Sequence, residues 1–289
     1  MIRSYSMLTK PGIVMGNLIT TTAGFFLGSK GVPNMLLFLY LLVGLGLVIA
    51  SACVFNNYID RHADALMERT KNRALVKGTI STIAALVFAL LLGCIGAGVL
   101  WFTTDGLTLA LSLFGFFFYV VMYSFSKYRS TSGTLIGTVS GAMPPVIGYC
   151  AANHGFDLGA QILFLILVLW QLPHFYSIAV YRLHEYAKAS IPVLPLVKGI
   201  QRTKIHMCCM IGGYLPAIFL LPTFHYTGMG TLIIAALLGL FWLALCIQGF
   251  KAENDTIWAR KMFRVSLLVI IVLSIAISYE GVAFATPSP

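Results

Sequence analysis

The segment at residues 54–78, VFNNYIDRHADALMERTKNRALVKG, gathers charge in a chain that has only nine Asp and Glu among its 289 residues. If the apolar run before it continues as a helix, Asn56, Asp60 and Asp64 stand at i, i+4 and i+8 along one stripe, with Asn57 beside them. Two carboxylates about a turn apart can share a divalent cation. Mg²⁺ takes few protein carboxylates and completes its shell with water and phosphate oxygens, so the pattern suits a diphosphate held through metal. Arg69, Lys71, Arg73 and Lys77 follow, and could take the phosphate oxygens that the metal leaves free. The alternative is that Asp60 and Asp64 only offset Arg61 and Arg69 on a solvated helix end. Against it stands the recurrence of Asp60, Asp64 and Glu68 at helical spacing in a chain where acids are scarce.

A second charged stretch, VYRLHEYAKASIPVLPLVKGIQRTK at 180–204, carries Arg182, Lys188 and Lys198 with Glu185 as its single acid. Glu185 either pairs with Arg182 or Lys188 across one turn or joins a metal and diphosphate site. Just before it, LVLWQLPHFYSIAVYR interrupts an apolar run with Gln171 and His174, and Pro173 is expected to open the helix between them. Polar groups inside apolar spans are costly and mark functional sites. His174, with Trp170, Gln171 and Tyr176 close by, is therefore a candidate ligand or catalytic group, or else a structural histidine bonded to a neighbouring helix. His62, His184 and His206 sit near the ends of apolar runs and read as solvated.

These residues need a scaffold, and the composition names it. The chain is 59% hydrophobic and 10% charged, with a mean hydropathy of +0.90, against about 25% charged residues in an ordinary soluble domain. A hydrocarbon core about 30 Å thick needs about 20 apolar residues per helix, and nine such runs are expected, at 12–29, 35–57, 81–102, 107–126, 134–152, 159–181, 205–223, 230–250 and 263–281. They are apolar on every face rather than alternating, which excludes a β-barrel. The fold class is an all-α polytopic membrane protein, a single membrane domain over 1–289, with loops 58–80 and 182–204 at the mouth of its site.

Of the 19 Lys and Arg, all but Lys30 fall on one side of this topology. The positive-inside rule makes that side cytoplasmic, with the N-terminus inside and the FATPSP tail outside. The basic N-terminal segment runs on to full spanning length without a small-residue cleavage site, so no cleaved leader is expected. The topology also accounts for the net charge of +10, leaving no reason to expect nucleic-acid binding. The six cysteines lack C-x-x-C or ligand spacing and read as packing residues. Small residues at 14–30 and 134–156 let helices approach closely, while Pro144 and Pro145 shape a cavity.

The motifs LTKPGI (8–13), NNYIDRHAD (56–64), ERTKNRALVKG (68–78), GTLIGTVSGAMPPVIGY (133–149), WQLPHFYSIAVYR (170–182), EYAKASIPVLP (185–195) and WARKMF (258–263) run almost end to end. By them the chain resembles the UbiA superfamily of intramembrane prenyltransferases, in particular its haem-modifying branch. The resemblance implies transfer of farnesyl from farnesyl diphosphate to a vinyl group of haem B, in a bacterial cytoplasmic membrane. The product would be used by a haem A synthase or a terminal oxidase.

The superfamily's first acidic motif, N-D-x-x-D-x-x-x-D, falls on Asn56, Asn57, Asp60 and Asp64, and its second, D-x-x-x-D, on Tyr181 and Glu185. With fewer carboxylates, one Mg²⁺ is implied, on Asp60, Asp64 and Asn56 with Glu185, as catalytic metal. The diphosphate would meet Asn56, Asn57, Arg69, Lys71, Arg73, Lys77, Arg182 and Lys198. Haem would meet His174 and Gln171, with Lys127 and Arg129 for its propionates. The rival readings are prenyl transfer to a small aromatic acceptor, and a transporter.

Overall fold

The computed structural model describes residues 2–283, so the expected external tail, FATPSP, lies outside the described residues. The chain begins with α1 (Ile2–Leu8), α2 (Pro11–Gly28), α3 (Met35–Ala65), α4 (Thr82–Thr103) and α5 (Gly106–Phe117). A π-helical stretch, Phe118–Tyr123, leads from α5 into the single turn α6 (Ser124–Ser126). Then come α7 (Gly133–Asn153), α8 (Leu158–Tyr181), α9 (Leu183–Lys188), α10 (Leu194–Lys198), α11 (Ile200–Thr223), α12 (Met229–Gln248) and α13 (Asp255–Ala283). No strand occurs among the described residues.

Local chemistry starts these helices where the sequence supplies it. Asn34, Ser81 and Asp105 cap α3, α4 and α5 by accepting from the backbone N–H three residues on, and Asp157 caps α8 through Gly159 and Ala160. Pro11 opens α2, where its missing N–H has no helical partner to lose.

Among the described residues, eight helical segments are long and apolar enough to cross a membrane. The expected count of nine rests on α2, which is not among the eight, since Asn17 and Thr20–Thr22 make it more polar. It nonetheless runs the depth of the bundle. At its start Lys10 bonds to Asn56 of α3, and at its end Gly28 packs on Tyr149 of α7 while Gly31 N–H donates to Gly281 of α13.

Helices α2, α3, α5, α7, α8 and α13 surround one large cavity, and α4, α11 and α12 pack outside them. On α4 few of the apolar residues are buried, as expected of a helix whose outer face meets lipid rather than protein. Helices α3, α7 and α8 are far more buried. A Cβ on Gly24 would strike the carbonyl of Pro145, and one on Gly148 would strike that of Thr21, so α2 and α7 touch backbone to backbone. Gly24→Ala is therefore expected to destabilise the protein by about 1–3 kcal/mol. The change should appear as a lower unfolding temperature in detergent, and an unshifted transition would refute the contact.

Pro173 does not open α8, which is helical from Leu158 to Tyr181. The proline costs the helix one bond, to the Leu169 carbonyl, and α8 stays helical because α7, α11 and α13 pack around it.

Candidate active site

Helix α3 is 31 residues long and outruns the apolar segment, which carries the acidic stripe as helix to Ala65. Asn56, Asp60 and Asp64 are all buried, and all three line a cavity of about 930 Å³. That volume lies at the upper end for small-molecule sites. Along α3 the lining changes from Leu45, Val48 and Ile49 to Asn56, Asp60 and Asp64. At 1.5 Å per residue, Leu45 to Asp64 spans about 28 Å, from an apolar depth to a charged mouth.

Neither carboxylate pairs with its neighbour Arg61 or Arg69. Asp60 accepts from Lys127 Nζ at 2.6 Å and from the Tyr128 hydroxyl at 2.8 Å, and Asp64 accepts from Arg73 Nη1 at 2.5 Å. Arg61 instead bonds to the Tyr58 carbonyl and stacks over its ring. Burial pushes the Tyr128 phenol upward, so it remains a donor to Asp60.

The π-helical stretch places Tyr119 and Tyr123 on the cavity with Lys127, their two rings stacked 5.7 Å apart. π-helical segments are rare and recur at functional sites. Lys127, expected to face haem, thus sits with the acids at the mouth. Arg129 is exposed and stacks over Phe125, away from the cavity lining.

Lys10 belongs to the site, although its type and spacing gave it no role. Its Nζ donates to Asn56 Oδ1 at 2.5 Å, and it is held at φ 51, a strained conformation for a side-chain-bearing residue just before proline. Its signal in the sequence is isolation, a lone Lys at the start of an apolar run. Burial, and after it the charge of Arg73, draws the Lys10 ammonium down to about 8.

The remaining expected residues divide by position. Arg69, Arg73 and Arg182 line the cavity, whereas Lys71 is exposed and paired with Glu68, and Lys77 and Lys198 are exposed off the lining. Asn57 faces the other way, its Nδ2 donating to the Leu8 carbonyl at 2.7 Å and tying α1 to α3. Glu185 is buried but off the lining, its Oε1 accepting from Arg182 at 2.7 Å while Oε2 has no partner among the described residues.

Deeper in the cavity lie His174 and Gln171, on α8. His174 is eight residues before Arg182, or about 12 Å below the mouth. Its ring stacks on Trp170 at 4.9 Å and 24° and lies 4.9 Å from Phe263. Gln171 fills the space left by the absent side chain of Gly141. Its Nε2 is buried with no partner among the described residues, as is Nδ2 of Asn56. Tyr181, where the second acidic motif of the resemblance has its first Asp, lines the cavity and packs edge-on against Phe263.

No group of three or more His, Cys, Asp or Glu suited to a metal occurs among the described residues. An all-protein metal cage therefore does not fit. Two buried carboxylates do fit a Mg²⁺ ion that takes its other oxygens from a phosphate ligand and water, and the unpartnered Asn56 nitrogen beside them is a donor suited to a phosphate oxygen.

Residues 17–268 match the UbiA prenyltransferase family. The chain is 51% identical to the protoheme IX farnesyltransferase of Protochlamydia amoebophila over 280 residues, covering 97% of this chain and 99% of that one. Its fold resembles that of a digeranylgeranylglyceryl phosphate synthase at a TM-score of 0.80 and 17% identity, covering 98% and 99% of the two chains. It also resembles a UbiA homologue of Archaeoglobus fulgidus solved with GPP and Mg²⁺, at a TM-score of 0.71 and 14% identity over 97% and 99%. The protein belongs to the UbiA prenyltransferase family.

Proposed function

We propose that this enzyme transfers the farnesyl group of farnesyl diphosphate to a vinyl group of haem B, releasing diphosphate and forming haem O. The observation that carries this reading is the identity of about half the residues, over nearly the whole chain, with curated protoheme IX farnesyltransferases. The cavity supports it, joining a cationic mouth to an apolar depth that contains a histidine.

Lys10, Arg69, Arg73, Lys127 and Arg182 meet the diphosphate at the mouth, where Asp60, Asp64 and Asn56 would hold Mg²⁺. Bound there, the ion supplies charge neutralisation for the leaving diphosphate. In its absence Lys127 and Arg73 neutralise the two acids, and both are placed to pass to phosphate oxygens instead. The prenyl chain lies along α3 toward Leu45, where apolar walls keep water from the allylic cation. The C–O bond to diphosphate breaks to give that cation, and the terminal vinyl carbon then attacks it to form the new C–C bond. The cation left beside the porphyrin then takes water and loses a proton. His174, with Gln171, is the group that meets haem or this water.

The membrane is the bacterial cytoplasmic one, with the charged mouth and N-terminus inside, and a haem A synthase or terminal oxidase receives the product. Purified protein given labelled farnesyl diphosphate and haem B should form labelled haem O. Labelled product only with a small aromatic acceptor, or transport without product, would overturn the reading.

Lys10 gives the diphosphate site a pH signature. Below pH 8 it is charged, and above that its buried ammonium loses its proton unless an anion arrives to restore it. Pyrophosphate binding is thus expected to take up a proton at about pH 8.5 and to weaken as pH rises further. Calorimetry in buffers of different ionisation enthalpy checks this, and Lys10→Met should abolish the uptake.

A further inference from the structure

His174 Nδ1 lies 2.7 Å from the hydroxyl oxygen of Ser266, on α13. That hydroxyl has one hydrogen, and Ser266 Oγ is also 2.7 Å from the carbonyl oxygen of Phe263, one turn back on its own helix. Two oxygens at that separation need a hydrogen between them, and a carbonyl has none to give. The Ser266 hydrogen therefore goes to Phe263, leaving only lone pairs toward His174, so Nδ1 must carry the proton. Nε2 of the neutral ring is then a bare lone pair, and no protein group bonds to it among the described residues.

The surroundings keep this arrangement in place. Ser266 is fully buried and off the cavity lining, while His174 is on it, so the serine stands behind the ring. The Ser266 carbonyl accepts from Trp170 Nε1 at 2.8 Å, and Trp170 stacks on His174. One residue of α13 thus fixes both the ring that supports the histidine and the histidine's own proton.

We infer that Ser266 is a positioning residue that sets the His174 tautomer, making Nε2 the atom that meets the haem substrate. Either use of His174, as a ligand to haem iron or as acceptor of a water proton, requires an unprotonated Nε2. Without the hydroxyl, Nδ1–H would be buried with no acceptor, and the ring would gain by moving its proton to Nε2, where the cavity can solvate it.

The use made of Nε2 rests on the proposed haem reaction, but the tautomer does not, so the first measurement is made without substrate. In lipid nanodiscs, ¹⁵N-histidine spectra of the ligand-free protein should show His174 protonated at Nδ1, the resonance being assigned by its loss in His174→Gln. Ser266→Ala should shift the proton toward Nε2, and Ser266→Thr, which keeps a hydroxyl, should restore it. Farnesylation of haem B should then fall about 3- to 10-fold in Ser266→Ala, the scale of one neutral hydrogen bond, and recover in Ser266→Thr. Pyrophosphate affinity should be unchanged in both, which shows that the fold and the mouth are intact. Protonation at Nε2 in the wild type, an unaltered tautomer in Ser266→Ala, or equal losses in both variants would each overturn the inference. A tautomer that shifts as stated in a protein that never farnesylates haem would sink the proposed reaction and leave the role of Ser266 standing.

Discussion

Asp60→Asn and Asp64→Asn are each expected to lower prenyl transfer by about two to three orders of magnitude, the range for removing a preorganised charge-stabilising group. The loss should not come from unfolding. At position 60 the Asn oxygen can accept from Lys127 while its NH₂ donates to the Tyr128 hydroxyl oxygen, and at position 64 its oxygen can accept from Arg73. What is lost is the negative charge that would hold Mg²⁺ between protein and diphosphate. The same change leaves Lys127 or Arg73 without its counter-ion, making the mouth more basic. Pyrophosphate binding without metal should therefore persist or tighten while Mg²⁺-dependent binding weakens, an opposition that general damage to the site cannot produce. Glu185→Gln should be mild by comparison, since Glu185 faces Arg182 and lies off the cavity lining. Near-normal turnover in Asp64→Asn would overturn the metal assignment, and a Glu185→Gln defect equal to it would return Glu185 to the metal.

The second large effect is expected at His174. His174→Ala should reduce haem O formation by about two orders of magnitude, the scale of a positioned acid–base group, while farnesyl diphosphate still binds at the mouth about 12 Å away. The Soret band of bound haem separates the two uses of the imidazole. A shifted or absent band in the variant means that Nε2 ligates iron. An unchanged band with lost turnover means that it handles the water. If neither band nor turnover changes, His174 is a packing residue between Trp170 and Phe263, and the haem site has to be sought elsewhere.

The all-α membrane architecture was legible from the sequence because a bilayer makes a severe demand: each span needs about 20 apolar residues with every backbone group bonded internally. The expected run at 159–181 and the observed α8, Leu158–Tyr181, agree for that reason. The acidic stripe was legible for a related one. Helical spacing alone places Asn56, Asp60 and Asp64 on one face, and the structure adds only that α3 continues far enough to carry them. Where composition fell between classes the sequence did not decide: α2, with its asparagine and threonines, is held in the bundle by glycine contacts with α7 and α13 that no hydropathy window registers.

Pairing across the bundle was hidden altogether. Lys127 is 67 residues from Asp60, Lys10 is 46 from Asn56 and Ser266 is 92 from His174. Periodicity relates residues within one helix and says nothing about which helix lies opposite. The sequence by itself determined which side chains could do chemistry and on which helices they ride. Tertiary structure alone decided their partners, drawing Lys127 to the acids, turning Glu185 and Asn57 away from the cavity and setting Ser266 behind His174, because those contacts follow from how helices pack and not from how residues are spaced.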